Sequence, residues 1–269
     1  MKRIPLAFRV MVATAVLLVA GSGCQKLKAR DNLNKGVQAF KNARYAEAVE
    51  FFKQAVELDP TFPTARLYLA TAYMQQYIPG AESPENLRMA QAAHDEFLRV
   101  LEQDPRNEVA IASIALLYFN QKKLDEAREW YLKQISVNPN AKEAHYTIGV
   151  IAWTKSFQPR MEARAKLGMK PEDPGPLKDR KIREALRDKN LPIIEEGMQH
   201  LQKALEIDKE YDDAMAYLNL LYRERADLAD SEAEYKKFTE IADNWVQKTM
   251  ETKKIKAART PGGGVTAGQ

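Results

Sequence analysis

Four stretches decide how this chain reads: Ala55-Val56-Glu57-Leu58-Asp59-Pro60, Val100-Leu101-Glu102-Gln103-Asp104-Pro105, Gln134-Ile135-Ser136-Val137-Asn138-Pro139 and Ala204-Leu205-Glu206-Ile207-Asp208-Lys209. Each sets an apolar pair ahead of a breaker, and in three of them the breaker is proline. Proline has no amide hydrogen and disfavours the helical region for the residue before it, so a helix should stop there. Lys209 is the exception. From Pro105 to Pro139 is 34 residues, and the other two spacings are 45 and 70. The pattern describes one helix–turn–helix unit used repeatedly, with two copies lengthened.

Small residues fall at fixed offsets within these units. Gly36, Ala70, Ala115 and Gly149 lie in the first helix of each, and Ala48, Ala93, Ala127 and Gly197 at the matching point of the second. Large packing residues stand between them: Tyr45, Phe52 and Ala55; Tyr73 and Phe97; Ile114, Tyr118, Leu124 and Tyr131; Ile148, Leu201 and Ala204. Amphipathic helices in general show a 3.6-residue period. They do not place small residues at two set positions before a proline. On these residues the chain resembles the tetratricopeptide repeat family over about 29–246. The resemblance implies an all-α fold: a right-handed superhelical array of about five helix–turn–helix units. A fifth unit begins at Ala214-Met215 with Leu218 and Tyr222, but carries Asn219 where a small residue belongs, as suits a terminal copy. A capping helix from Ser231 to about Ala257 sets Tyr235, Phe238, Ile241, Ala242 and Trp245 on one stripe.

The lengthened copies hold two insertions. The first, about 77–86, contains Pro79-Gly80 and Ser83-Pro84 and reads as a longer loop. The second, 155–192, reads as a short helix (159–167), a proline-rich connector (171–176) and a second helix (177–189), broken by Asn190-Leu191-Pro192. The expected organisation is an array over 29–154, this basic helical insertion, remaining helices over 193–257, and an unstructured tail over 258–269. Residues 155–192 carry 11 basic and 6 acidic side chains, residues 193–246 carry 6 and 14, and residues 247–269 carry 5 and 1. Either these parts attract one another, or the basic arm meets anionic lipid or an acidic partner.

The N-terminal 24 residues read as an address. Lys2, Arg3 and Arg9 precede the apolar run Val10–Ala20, and Gly21-Ser22-Gly23 leads into Cys24. That order is the layout of a secretory signal. The apolar run is too short for a bilayer core of about 30 Å. Cys24 is the only cysteine in the chain, and its place resembles the lipobox of bacterial lipoproteins, although Gly21 stands where Leu is usual. That resemblance implies removal of 1–23, lipidation of Cys24 and a tether over 24–28. Gln25 after the cysteine favours the periplasmic face of an outer membrane. The alternative is a plain secreted or periplasmic protein.

Composition narrows the function. The chain has 269 residues and a formal charge of +4; without the three leader charges it is nearly balanced, which gives no support to nucleic-acid binding. A single cysteine and three histidines argue against a thiolate or histidine metal centre. There is no Gly-rich phosphate loop and no nucleophile or metalloprotease motif. No cofactor, metal or catalytic residue is expected. In the family this chain resembles, first helices line an inner groove. By that register the groove residues are Leu33, Val37 and Phe40; Leu67, Thr71 and Met74; Ala112, Leu116 and Phe119; and Tyr146, Val150 and Trp153. They form either ordinary core or a trough for a protein or peptide segment. The implied function is a non-enzymatic adaptor tethered by lipid to the envelope, or alternatively a chaperone-like binder of client proteins.

Overall fold

The four quoted stretches fold into the same turn. Asp59, Asp104, Asn138 and Asp208 each leave the helix, and a side-chain oxygen of each accepts from the amide two residues on: Thr61 at 3.2 Å, Arg106 at 3.3 Å, Asn140 at 3.0 Å and Glu210 at 3.0 Å. Their carbonyls accept from Phe62, Asn107, Ala141 and Tyr211. The short acidic or amide side chain thus terminates the helix and shapes the turn. Asp208 does so ahead of Lys209, which is why the missing proline changes nothing locally.

The computed structural model describes residues 6–259, with side chains from residue 23 onward. It contains ten helices among those residues: α1 Leu6–Lys41, α2 Tyr45–Leu58, α3 Pro63–Gln76, α4 Pro84–Gln103, α5 Glu108–Asn120, α6 Leu124–Val137, α7 Lys142–Lys166, α8 Arg180–Ile207, α9 Asp212–Asp227 and α10 Glu232–Arg259. No strand occurs among the described residues. They form two compact units, Met1–Trp130 and Tyr131–Gln269.

In the first unit α1 packs on α2, α2 on α3, and α3 on α4. The expected close approach is real: a methyl on Gly36 would overlap the ring of Phe52, which is fully buried beside Ala48. Pro63 opens α3 and Pro84 opens α4, where a missing amide hydrogen costs nothing. The first insertion is a loop from Tyr77 to Ser83. Asn86 holds it, accepting from the Ile78 amide at 2.7 Å and donating to the carbonyls of Ile78 and Ala81.

In the second unit α7 packs on α8, and α9 packs on α7, α8 and α10. Gly149 and Gly197 repeat the small-residue role: a methyl on the first would overlap Leu201, and one on the second Ala152. The second insertion departs from expectation. Pro159 lies inside α7 and Pro192 inside α8. There is no separate short helix and no break at 190–192; the insertion lengthens both helices of one hairpin. Each internal proline forfeits a bond and costs about 3 kcal/mol. Burial on both sides outweighs that: Ile182, Leu186 and Ile193 pack on the same core as the fully buried Ile194, and the buried Asn190 amide donates to the Ser156 carbonyl.

Residues 167–179 return from α7 to α8 and are fixed to the end of α9. Arg164, 2% exposed, donates to both oxygens of Asp227 at 2.8 Å and to the carbonyls of Lys170 and Asp173. Arg160 bridges Glu224 at 2.8 Å and Asp227 at 2.9 Å. The Leu177 amide donates to the Asp227 carbonyl, and Arg187 to the carbonyl of Leu228. Burial pushes the Glu224 carboxyl up to about 7, against the pull of Arg160. The basic insertion and the acidic segment therefore neutralise one another, the first of the two readings of their charge.

The two ends of the chain also differ from expectation. Helix α1 runs through 24–28 without a break, so the expected tether is helical, and Cys24 is exposed. Side chains of the leader up to residue 22, and residues 1–5 altogether, lie outside the description. The capping helix is present: Ser231 accepts from the Glu234 amide and Glu234 from the Asp230 amide, a reciprocal cap. It runs to Arg259, and the expected unstructured tail beyond it, 260–269, lies outside the described residues. Among the described residues no helix is long and apolar enough to cross a membrane.

Candidate functional site

The positions expected to line a groove recur at i, i+4 and i+7 on first helices, which puts each trio on one helical face. In the first unit Leu33, Val37 and Phe40 of α1 are half-buried against the core that holds Phe52 and Leu69. The Phe40 ring meets Tyr45 at 5.2 Å and Tyr68 at 6.5 Å, edge to face. On α3, Leu67, Thr71 and Met74 are half-buried, and the Thr71 hydroxyl turns back onto the Leu67 carbonyl at 2.8 Å. On α5, Ala112 and Phe119 are half-buried, while Leu116 is 38% exposed. Except for the exposed Leu116, these side chains are half-buried, and those of α1 pack on the core of the first unit.

The second unit carries Tyr146, Val150 and Trp153 on α7. Val150 is buried, and the two rings are half-buried. Sequence reasoning did not anticipate their neighbours. Tyr146 lies 5.1 Å from Tyr211 and 5.5 Å from Tyr217; Trp153 lies 5.7 Å from Tyr217 and 5.1 Å from Phe157. Five rings from α7, α9 and the turn before α9 therefore pave one face. Tyr217 had a legible signal. It stands eight residues after the breaker position at Lys209, as Tyr68 stands eight after Pro60, and both rings reach back to the preceding first helix. Phe157 is one turn beyond Trp153 on the same face. Tyr211, in a turn, had no such signal.

Around the second unit's rings stand Glu143, Asp208 and Asp213, with Lys142 as the cation. Burial raises the Tyr146 and Tyr211 hydroxyls, Tyr211 to about 12, and neighbouring carboxylates add to both shifts. Neither hydroxyl ionises near neutrality, so both remain hydrogen-bond donors. The named groove positions themselves are uncharged in both units. In the second unit a cleft of about 410 Å³ between α7 and α8 is lined by Pro159, Ala163, Ile182 and Leu186.

The histidines are tied into the fold. His94 meets the Tyr118 hydroxyl at 3.0 Å, and His145 meets His200 at 2.8 Å and the Pro139 carbonyl at 3.1 Å. Burial lowers the His145 pKa, which favours the neutral ring.

Helical hairpins with small residues at each crossing, closed by identical turns, make this a helical-repeat protein, a class whose surfaces serve binding. Two tetratricopeptide repeat family models match the chain, over residues 39–76 and 110–141. The fold is similar to that of MamA (14% identity, 83% of this chain and 96% of that one, TM-score 0.56) and of MamA from Desulfovibrio magneticus RS-1 (16%, 85% and 96%, TM-score 0.57). It is also similar to that of YrrB, described as a TPR protein with an unusual peptide-binding site (14%, 83% and 90%, TM-score 0.51). At these identities the likeness is one of fold. No curated protein matches the sequence.

Proposed function

We propose that the chain is a non-enzymatic interaction scaffold that holds a segment of another protein against the inner faces of its first helices, and that lipid on Cys24 keeps it at the periplasmic side of an outer membrane. The observation that carries the binding part is the set of half-buried apolar side chains on α1, α3, α5 and α7. A side chain such as Leu116, which is exposed, gains free energy when a partner covers it, at about 25 cal/mol per Å² removed from water. YrrB, with its own peptide-binding site, supports the use of this fold for capturing a peptide. The leader and the placement of Cys24 support the anchor, which would raise the local concentration of the scaffold beside a membrane assembly.

One experiment tests both parts. In cells, Cys24→Ala should move the protein from the membrane fraction to the soluble fraction, while in-cell crosslinking of the wild-type chain should recover one partner in fixed proportion. Unchanged membrane retention rejects the lipid anchor. Recovery of many partners without fixed stoichiometry rejects the scaffold in favour of client binding.

A further inference from the structure

The carboxylates at the start of α9 divide their work. Asp212 and Asp213 are neighbours in sequence, so on a helix they point about 100° apart. Asp212 faces α10, where Lys256 bonds it and Lys253 stands at 3.8 Å. Glu210 takes Arg259 at 2.7 Å, and Asp208 takes Lys142 at 2.9 Å. Lys253, Lys256 and Arg259 of α10 are thus engaged by Asp212 and Glu210. Asp213 is exposed and stands in no ion pair among the described residues; its charge bears on the hydroxyls of Tyr146 and Tyr211. Glu143 is also exposed and pairs with Lys142 at 3.7 Å, a longer contact than the 2.9 Å bond from Lys142 to Asp208. The paved face therefore combines half-exposed rings with Asp213, which stands in no ion pair among the described residues, and Glu143, which shares Lys142 with Asp208.

The same unit already holds a cation in this way. The Lys142 ammonium sits 4.6 Å from the Tyr211 ring centroid and bonds the Asp208 carboxylate. Ring face and carboxylate together are what a lysine or arginine needs from a binding surface. An acidic segment would be repelled by Asp213 and Glu143, and a neutral one would strip water from them without return.

We propose that the inner face of the second unit binds a basic segment of a partner protein, its lysine or arginine side chains laid over Tyr146, Trp153 and Tyr217 with Asp213 and Glu143 taking their charge. This rests on the scaffold reading above and names the chemistry of its partner. The test uses the full chain in detergent and three labelled 12-residue peptides that share their apolar residues and differ in carrying four Lys, four Ser or four Glu. Fluorescence anisotropy should show the Lys peptide binding at least about tenfold tighter than the other two, and weakening as salt is raised. The exposed double reversal Asp213→Lys with Glu143→Lys should weaken it about tenfold more. Glu50→Lys with Glu57→Lys in the first unit should leave it unchanged. Equal binding of the three peptides, or indifference to the Asp213 and Glu143 reversal, overturns the basic partner and leaves the groove standing. Binding of none overturns the groove reading with it.

Discussion

The two units fill one repeat frame in different ways. In the first unit α2 and α3 are 14 residues each, and the core sets buried alanines against Phe52, Leu69, Phe97, Ile111, Ile114 and Leu117. It carries a buried ion pair, Arg66 of α3 with Glu96 of α4 at 2.7 Å. In the second unit α7 and α8 run to 25 and 28 residues, and the apolar core follows them to Ala163, Leu177 and Ile182. Their far end is closed by three buried charges, Arg164, Glu224 and Asp227, and the half-buried Arg160. The contrast shows how a repeat accommodates an insertion. Lengthening a helical hairpin creates surface with no neighbouring hairpin to cover it, and a mutually satisfied charge cluster fixes that surface in one geometry. Hydrophobic area alone would leave its register loose, whereas bidentate guanidinium–carboxylate bonds are directional.

The comparison can be broken most decisively at Arg164. Arg164→Ala leaves Asp227 buried without its main partner and should cost about 3–5 kcal/mol, read as a large drop in thermal midpoint. A loss below about 1 kcal/mol, the scale of an exposed pair such as Arg44 with Glu47, would mean that the cluster does not lock the insertion.

A second effect separates the units by pH. The Glu224 carboxyl is raised to about 7, so the folded state binds its proton more readily than the unfolded chain does. A raised carboxyl contributes stability at low pH and loses it as pH climbs through the folded value. Chemical denaturation should therefore show stability falling between about pH 5 and 8, by on the order of 3 kcal/mol from this group. Glu224→Gln should flatten that slope. An unchanged slope would place the titration elsewhere.

The smallest effect tests what the units share. Gly36→Val and Gly149→Val each force a side chain into Phe52 or Leu201, and each should cost about 1–3 kcal/mol by overpacking. Similar losses at both sites, measured by urea unfolding, would show that the small-residue crossing is one device used in both units. A loss at only one would make the frame less uniform than its sequence period.

Much of this was legible in particular residues. Pro60, Pro105 and Pro139 marked helix ends because proline disfavours the helical region for the residue before it, whereas the side-chain oxygens of Asp59, Asp104, Asn138 and Asp208 that shape the turn showed only in the structure. Gly36, Gly149 and Gly197 marked helix crossings because only a missing side chain lets two backbones approach. Pro159 and Pro192 misled, since a proline's local cost says nothing of the burial that repays it from another helix. On the candidate face, the positions on α7 followed from the register, but the rings of Tyr211 and Tyr217 that meet them come from some 60 residues further along the chain.

The sequence by itself determined the repeat: where helices stop, which faces are apolar and where neighbours must be small, because those are properties of a few adjacent residues. Only the tertiary structure decided which charges cancel and which remain. Arg164 finds Asp227, Lys256 takes Asp212, and Asp213 is left beside the tyrosines, because Coulomb energy depends on distance in space and composition counts only residues.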